Sequence, residues 1–341
     1  MKLGLETESL HLWFQNRRMD IFGFVEKAHE LGLDGVQINL IKDYNLDEKW
    51  GALGSVDPSH LAKLKALLAK YNMYVELDMR NLDYERLVEV IELAHELGAE
   101  YVRSYVPITI NRDNLITDGA SGAYDIVKVK QDFDPTSLTA AVASVRRIVP
   151  LLEKYRITLC LENHEYETSF ELKSIIETID SQWVKLLFDF GNSMMAWEDP
   201  KVAARTMAPY VAMTHCKDHI VIPDEDSEFG YVVCGVPIGQ GNLDIEGLFD
   251  ILYHNAPIKR LNIEMCYPYC AEFKRSIGTG GVYGVGAGPF SVEAPLYPIK
   301  PSQYYYPHEV SEDCLEQLLA DQMKGVENSV TFVKSILAKY R

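Results

Sequence analysis

Four short segments of the sequence carry residues that could bind a metal ion. The segments LENHE, FDFGN, THCKDH and IEMCY each close an apolar run, and they contain Glu162, Asp189, His215 and Glu264. Three carboxylates brought together without a counter-ion would repel one another and raise each other's pKa. A divalent cation removes that repulsion, and mostly oxygen ligands with one nitrogen suit Mn²⁺ or Mg²⁺, with Co²⁺ or Zn²⁺ as alternatives. The four residues together therefore predict one divalent metal site.

Each of these residues taken alone has a simpler explanation. A single glutamate at the end of a strand is more often a salt-bridge partner than a metal ligand, and a histidine on a helix is usually structural or solvated. The second description fits the histidines outside the four segments at positions 29, 60, 95 and 254. The joint occurrence of the four residues at successive strand ends is what favours a metal site.

The elements that must position these residues follow a repeating pattern. Short apolar runs alternate with segments of 3.6-residue hydrophobic spacing, which predicts alternating strands and helices. The predicted strands are Lys2–Glu8, Gly35–Ile41, Tyr74–Arg80, Tyr101–Val106, Ile157–Glu162, Val184–Asp189, Val211–His215 and Leu261–Met265. The predicted helices are Ile21–Leu31, Ser59–Tyr71, Tyr84–Leu97, Thr136–Tyr155, Phe170–Ile179, one starting near Asp199, Ile245–His254 and Ser311–Tyr340.

Eight such units predict an α/β fold, a (β/α)8 TIM barrel that forms a single domain over residues 1–341. An open doubly wound sheet is the alternative, but no GxGxxG turn follows the first strand. In a barrel the carboxyl ends of the strands meet at one mouth, where the four candidate ligands would face each other.

Two connections are too long for simple loops. Ile108–Phe133 follows the fourth strand, and a Gly- and Tyr-rich insertion at 268–310 follows the eighth. Long loops after barrel strands lie on the catalytic face and usually carry function. The tyrosines of the insertion suggest packing against a substrate or a partner chain, whereas the alternative is a disordered flap.

Composition excludes several classes of function. The formal net charge of −17 would repel nucleic acid and anionic membranes. No apolar run approaches the ~20 residues that span a bilayer. Six cysteines without a CxxC pair, and an opening segment that does not read as a secretory leader, indicate a reducing cytoplasmic location.

The ligand set resembles that of the xylose isomerase-like barrel superfamily, the sugar phosphate isomerase/epimerase group. The HxKD sequence at 215–218 and GVPIGQGNLDIEGL at 235–248 are similar to family segments. The resemblance implies that one divalent ion is bound by the two glutamates, the aspartate and the histidine. One departure matters: many members have D-x-G-H where this chain has Asn192, which weakens a ketose 3-epimerase assignment. The missing histidine also argues against a multi-zinc DNA-repair endonuclease.

A second resemblance is narrower. The opening SLHLWFQNRRMDIF, the LENHE segment and the tyrosine-rich insertion are similar to the catalytic α subunits of bacterial C-glycoside deglycosidases. This resemblance implies Mn²⁺ as the cofactor, a small β subunit as a partner, and cleavage of the carbon–carbon glycosidic bond of a 3-oxo-C-glycoside. We expect an oligomer and a small sugar-like substrate.

The lyase and the epimerase interpretations both begin with removal of a proton next to a carbonyl group. A divalent ion beside the carbonyl oxygen would stabilise the negative charge that develops on it. A base must also lie within hydrogen-bond reach of the proton. His164 lies two residues after Glu162 and is the predicted base of a lyase. In a sugar isomerase or 3-epimerase, Glu162 and Glu264 would instead exchange the proton across the two faces of the substrate. A non-catalytic sugar-binding subunit is a third interpretation, and the intact ligand set argues against it.

Four further residues are predicted to contact the substrate. Lys217 could orient a hydroxyl or stabilise an oxyanion, or it could form a salt bridge with Asp218 or another acid. Arg103, at the end of the fourth strand, is a candidate for the same role, and His11 and Trp13 could form a wall near the first strand.

Overall fold

The computed structural model describes residues 1–44, 46–106, 136–304 and 311–340. Its central feature is a closed parallel barrel, which confirms the predicted fold class. In chain order, the barrel strands are β1 (Lys2–Glu6), β2 (Gly35–Asn39), β3 (Tyr74–Asp78), β4 (Tyr101–Ser104), β5 (Thr158–Glu162), β6 (Val184–Asp189), β7 (Val211–Cys216) and β10 (Arg260–Ile263). Strand β1 pairs with both β2 and β10, so the sheet closes.

Helices surround the barrel, and each agrees with a predicted segment to within three residues, except the short helix His11–Gln15, which was not predicted. They are α1 (His11–Gln15), α2 (Ile21–Glu30), α3 (Pro58–Tyr71), α4 (Tyr84–Leu97), α5 (Thr136–Tyr155), α6 (Ser169–Ile179), α7 (Pro200–Met207), α8 (Ile245–Asn255) and α9 (Glu312–Leu337). Most begin at a side chain that accepts a backbone N–H bond, as Asp83 does for Arg86 before α4. Helix α4 ends at Gly98, whose φ of 77° is easily adopted by glycine.

A small antiparallel sheet follows the seventh barrel strand and was not predicted from the sequence. Strands β8 (Asp218–Pro223) and β9 (Tyr231–Val236) form a hairpin, and β11 (Cys270–Glu272) pairs with β9. The sheet buries its own apolar cluster, which includes Ile220, Ile222 and Tyr304. Part of the Gly- and Tyr-rich insertion at 268–310 therefore folds against this sheet.

The predicted fourth-strand loop Ile108–Phe133 lies outside the described residues, as do Tyr305 and Tyr306 of the insertion. Among the helices that the structure describes, none combines the length and the apolar character needed to cross a membrane. All six cysteines are free thiols, and all except Cys314 are buried.

The interior of the barrel is polar along several of its strands. Gln37, Glu76, Asp78 and Asn262 are buried and bind other side chains within the barrel. Tyr74 lies lower in the barrel, where its hydroxyl donates to Asn262 Oδ1 at 2.7 Å. Two glycines make room for the Tyr74 side chain: a Cβ atom at Gly35 would lie 2.4 Å from the ring, and one at Gly4 would lie 2.2 Å from the hydroxyl oxygen.

The close approach of Tyr74 to β2 predicts a large effect of one methyl group. We expect Gly35→Ala to lower the free energy of unfolding by about 1–3 kcal/mol, because the added Cβ overlaps the buried ring. The control is Gly23→Ala in α2, where the nearest atom would be 3.5 Å away and alanine favours the helix by up to ~1 kcal/mol. Urea unfolding of both variants measures the difference, and equal stabilities would contradict the packing argument.

Candidate metal centre and active site

The structure brings the four predicted ligands together at the mouth of the barrel. One ligand atom from each of Glu162, Asp189, His215 and Glu264 lies within 4.8 Å of the others, and all four residues are buried. His215 Nδ1 lies 2.8 Å from Glu162 Oε1, 3.1 Å from Glu264 Oε2 and 3.9 Å from Asp189 Oδ2. Three carboxylates and one imidazole at these distances could hold a divalent ion.

The strand ends explain why these side chains converge. Asp189 is the last residue of β6 and is paired in register with His215 on β7, while the backbone N–H of Glu264 donates to the carbonyl oxygen of Cys216. The Asp189 backbone exchanges two hydrogen bonds with the Asn163 side chain. Its Oδ1 accepts from the backbone N–H groups of Gly191 and Asn192 at 2.8 Å each, which leaves Oδ2 directed toward the cluster.

Arg103 lies inside the barrel and binds the back of this cluster. Its Nε and one terminal nitrogen both contact Glu162 Oε2, and its other terminal nitrogen donates to Asp78. The guanidinium also lies 5.0 Å from the centre of the Tyr105 ring. Arg103 was predicted to bind substrate, but these contacts occupy its nitrogens and favour a role in holding Glu162.

Lys217 lies on the opposite side of the cluster and is almost completely buried. Its ammonium is 2.7 Å from Asp189 Oδ2 and 2.6 Å from Glu264 Oε2. Neither of these enclosed oxygens has a hydrogen bond of good geometry within the described residues. The donor set itself, three carboxylates and one imidazole whose ligand atoms lie within 4.8 Å of one another, fits a divalent metal ion.

Burial and neighbouring charges shift the pKa values of the cluster in opposite directions. Burial raises the pKa of Asp189 to about 8, although Lys217 opposes the shift. Burial would also raise the pKa of Glu162 and Glu264, but Arg103 and His215 lower it for Glu162, and His215 and Lys217 lower it for Glu264. Burial would lower the pKa of His215, yet Glu264 and Glu162 hold it well above its ordinary value.

Asp218 does not pair with Lys217, which corrects one of the alternatives for these two residues. The Asp218 carboxylate accepts backbone hydrogen bonds from His219, Gly239, Gly241 and Leu243, so it closes the PIGQGNL loop. A Cβ atom at Gly241 would lie 2.2 Å from Asp218 Oδ1, which explains the glycine at that position. Lys217 therefore forms salt bridges with the acids of the cluster.

His164 lies beside the cluster in a constrained turn. Its ring stacks on Tyr105 with 4.1 Å between the ring centres, and its backbone N–H donates to Glu167 Oε2 at 3.2 Å. The next residue, Glu165, has a φ of 69°, a conformation that non-glycine residues rarely adopt and that often occurs at functional sites. Burial lowers the pKa of His164 to about 4, so the imidazole is neutral near pH 7.

Trp13 and His11, the other two predicted substrate contacts, pack against the last helix. The Trp13 indole N–H donates to the carbonyl oxygen of Leu319 on α9 at 3.1 Å. The His11 Nδ1 atom lies 2.9 Å from the carbonyl oxygen of Glu8 and 3.1 Å from Gln322 Nε2 on α9. These contacts join α1 to α9, and the proposed wall near the first strand remains a prediction.

Several aromatic residues of the insertion pack within the protein, and the expected packing of the insertion against a substrate or a partner chain remains a prediction. Phe290 is buried and stacks in parallel with Trp197, 6.0 Å between the ring centres. Tyr304 is buried against Tyr297, and the hydroxyl of Tyr267 contacts that of Tyr297. Tyr283, by contrast, is 82% exposed and points to solvent. The buried rings stabilise the insertion itself.

Sequence reasoning missed residues that lie behind the cluster or beside it. They are Gln37, Asp78, Asn163 and Tyr105. The signal for Gln37 and Asp78 was present, because both are polar residues at alternate positions of otherwise apolar buried strands. Nothing in the local sequence distinguishes Tyr105 from the many other tyrosines.

Comparisons with known proteins agree with this geometry. The family model for the xylose isomerase-like TIM barrel matches residues 25–269. The chain is 26% identical over 248 residues to the uncharacterised protein YihM of Escherichia coli K12, covering 73% of this chain and 67% of that protein. It is 24% identical over 255 residues to 3-oxo-isoapionate decarboxylase of Pectobacterium atrosepticum, covering 75% of this chain and 82% of that enzyme.

Solved structures show the same fold at lower sequence identity. D-psicose 3-epimerase of Clostridium cellulolyticum superposes with a TM-score of 0.61 over 99% of each chain, at 13% identity. An L-ribulose 3-epimerase superposes with a TM-score of 0.53 over 93% of this chain and 95% of the other, at 14% identity. The chain belongs to the xylose isomerase-like TIM barrel family, and it is an enzyme.

Proposed function

We propose that the protein is a metal-dependent lyase, similar to the α subunit of a C-glycoside deglycosidase, that cleaves the carbon–carbon glycosidic bond of a 3-oxo-C-glycoside. One divalent ion, with Mn²⁺ as the first candidate, is bound by Glu162, Asp189, His215 and Glu264. His164 is the base. The observation that carries this proposal is the unequal environment of the two candidate bases: Arg103 binds Glu162, whereas His164 lies beside the cluster.

The contacts that Glu162 already makes favour a reaction that needs a single base over a reaction that needs two acid–base groups. Its Oε2 contacts two nitrogens of Arg103, and its Oε1 lies 2.8 Å from His215 and 3.4 Å from Asn192 Nδ2. A proton taken up by this carboxylate would have to displace one of these contacts. An epimerase needs a proton acceptor on one face of the substrate and a donor on the other, whereas an elimination needs one base.

The mechanism follows from the placement of the side chains. A divalent ion at the four ligands would supply a Lewis acid for the carbonyl oxygen of the substrate. His164 removes the proton from C2, next to the 3-oxo group, and the electron pair of that bond forms the C1–C2 double bond. The bond from C1 to the aromatic carbon breaks, and that carbon takes up a proton. The products are an unsaturated 3-oxo sugar and the free aglycone.

Lys217 and Tyr105 complete this proposal. The Lys217 ammonium, at 2.6–2.7 Å from Glu264 and Asp189, is close enough to the ligand set to bind an oxygen of the same substrate. Tyr105 stacks on the His164 ring and limits the directions in which that ring can turn. Arg103 positions Glu162, and a small β subunit assists the reaction, as the resemblance to the deglycosidases implies.

The decarboxylase relative supports a 3-oxo substrate. A 3-oxo acid that loses carbon dioxide passes through an enolate, the same kind of charge that proton removal next to a 3-oxo group creates. The 24% identity to 3-oxo-isoapionate decarboxylase is therefore consistent with this chemistry on an oxo sugar. The alternative function is a sugar isomerase or ketose 3-epimerase on the same metal site, which the fold of the epimerase structures allows.

The metal site is tested by metal analysis of protein purified without chelator. We expect about one divalent ion per chain in the wild type and a loss of most of it in Glu264→Ala, because that variant removes one of the four ligands. Glu198→Gln is the control, since Glu198 is equally buried but binds Ser169. Undiminished metal content in Glu264→Ala would remove this residue from the site.

The base is tested by His164→Ala. We expect the variant to keep its metal content and melting temperature but to lose about 10²–10⁴-fold in kcat, the usual contribution of a general base. Ser276→Ala, in the exposed part of the insertion, should keep its activity. A kcat near the wild-type value in His164→Ala would reject the role of this histidine.

The substrate class is tested by incubating the Mn²⁺-loaded protein with a 3-oxidised C-glucoside or with D-fructose, each with and without the small protein encoded beside it. We expect release of free aglycone from the C-glucoside, detected by chromatography, and no conversion of fructose. Conversion of fructose without aglycone release would establish the epimerase alternative.

A further inference from the structure

A chain of hydrogen-bonded polar side chains runs through the barrel interior and ends on His215. Arg260 donates to Glu76 Oε1 at 3.0 Å, and Asn262 Nδ2 lies 2.6 Å from Glu76 Oε2. The same Asn262 nitrogen lies 2.9 Å from Gln37 Oε1, and Gln37 Nε2 lies 2.7 Å from His215 Nε2. Glu76, Asn262, Gln37 and His215 are at most 1% exposed, so this chain is shielded from water.

The two ring nitrogens of His215 face different surroundings. Nδ1 faces the carboxylates of Glu162 and Glu264, whereas Nε2 faces the Gln37 amide. Asp78 is the other acid near Nε2, but its Oδ2 is 3.8 Å away and its Oδ1 binds Arg103. The Gln37 side chain is therefore the nearest hydrogen-bond partner of the nitrogen that points away from the metal site.

Metal binding fixes which ring nitrogen carries the proton. A neutral imidazole that gives the Nδ1 lone pair to a cation holds its hydrogen on Nε2, where it must donate to an oxygen. The Gln37 amide has an oxygen and a nitrogen of nearly the same size at equivalent positions, and a half-turn exchanges them. The Gln37 amide oxygen can occupy the position 2.7 Å from Nε2 and accept that hydrogen bond.

From this geometry we propose that Gln37 is a positioning residue of the metal site, whose side-chain amide contacts Nε2 and orients the His215 ring for a cation at Nδ1. This inference rests on the proposed metal site. It adds a residue on β2, on the far side of the barrel from the ligand-bearing strands β5 and β6.

Two substitutions at the same position separate hydrogen bonding from packing. Gln37→Met keeps the length of the side chain but removes the acceptor, and we expect it to weaken Co²⁺ binding about 10–100-fold. Gln37→Glu keeps an acceptor oxygen, and we expect Co²⁺ affinity within about threefold of wild type or tighter. Isothermal titration calorimetry on chelator-stripped protein measures both affinities, and melting temperatures are recorded alongside.

The control is Tyr74→Phe, which removes a hydrogen bond of the same interior chain without touching His215. We expect this variant to lose stability but to keep its Co²⁺ affinity within about threefold. Wild-type affinity in Gln37→Met, or equal losses in Gln37→Met and Gln37→Glu, would overturn the role of Gln37. Failure of the wild type itself to bind Co²⁺ would instead reject the metal site on which the inference rests.

Discussion

The structure depends on the mutual repulsion of three carboxylates that are buried within a few ångströms of each other. Glu162, Asp189 and Glu264 surround one imidazole at the mouth of the barrel, where burial limits the screening of their charges by water. Two buried cations face the cluster from opposite sides, Arg103 from within the barrel and Lys217 from the rim. These cations offset part of the repulsion, and a divalent ion at the common point would offset the remainder. The positions of Arg103 and Lys217 follow from this need to offset the repulsion.

The same requirement explains why the barrel interior is not filled by aliphatic side chains alone. A ligand set of this kind is precise only if each member has a second partner that fixes its rotation. Asn163 and two backbone amides fix Asp189, Arg103 fixes Glu162, and the chain of amides from Gln37 reaches the back of His215. The lower part of the barrel, around Tyr74 and Asn262, is therefore joined to the candidate metal site through the contact of Gln37 with His215.

The barrel and the ligand set could be predicted from the sequence because both leave a periodic signal. Apolar runs that end in Glu162, Asp189, His215 and Glu264 are local features, and the barrel topology alone brings their ends together. The contacts of Arg103 were not predictable, since a strand-end arginine can face the substrate or the interior, and only the three-dimensional positions of Asp78 and Glu162 decide between them. The hairpin of β8 and β9 was missed although its Val- and Ile-rich runs flank a polar turn. It was hidden because it follows a barrel strand after one residue. The burial of Phe290 and Tyr304 was not predicted, because composition does not reveal which side of a loop is buried.

That single residue between β7 and β8 is Lys217. Loops on the catalytic face of a barrel usually diverge freely, and new substrates are acquired by exchanging them. Here the ammonium group is attached to the junction of two sheets, and Asp218 anchors the loop after β9 through three of its backbone N–H groups. Lengthening or replacing the hairpin would displace a charge beside the candidate metal site, so this connection is poorly suited to change during evolution or engineering. Divergence in substrate range is then easier in barrel connections that do not begin at such a junction.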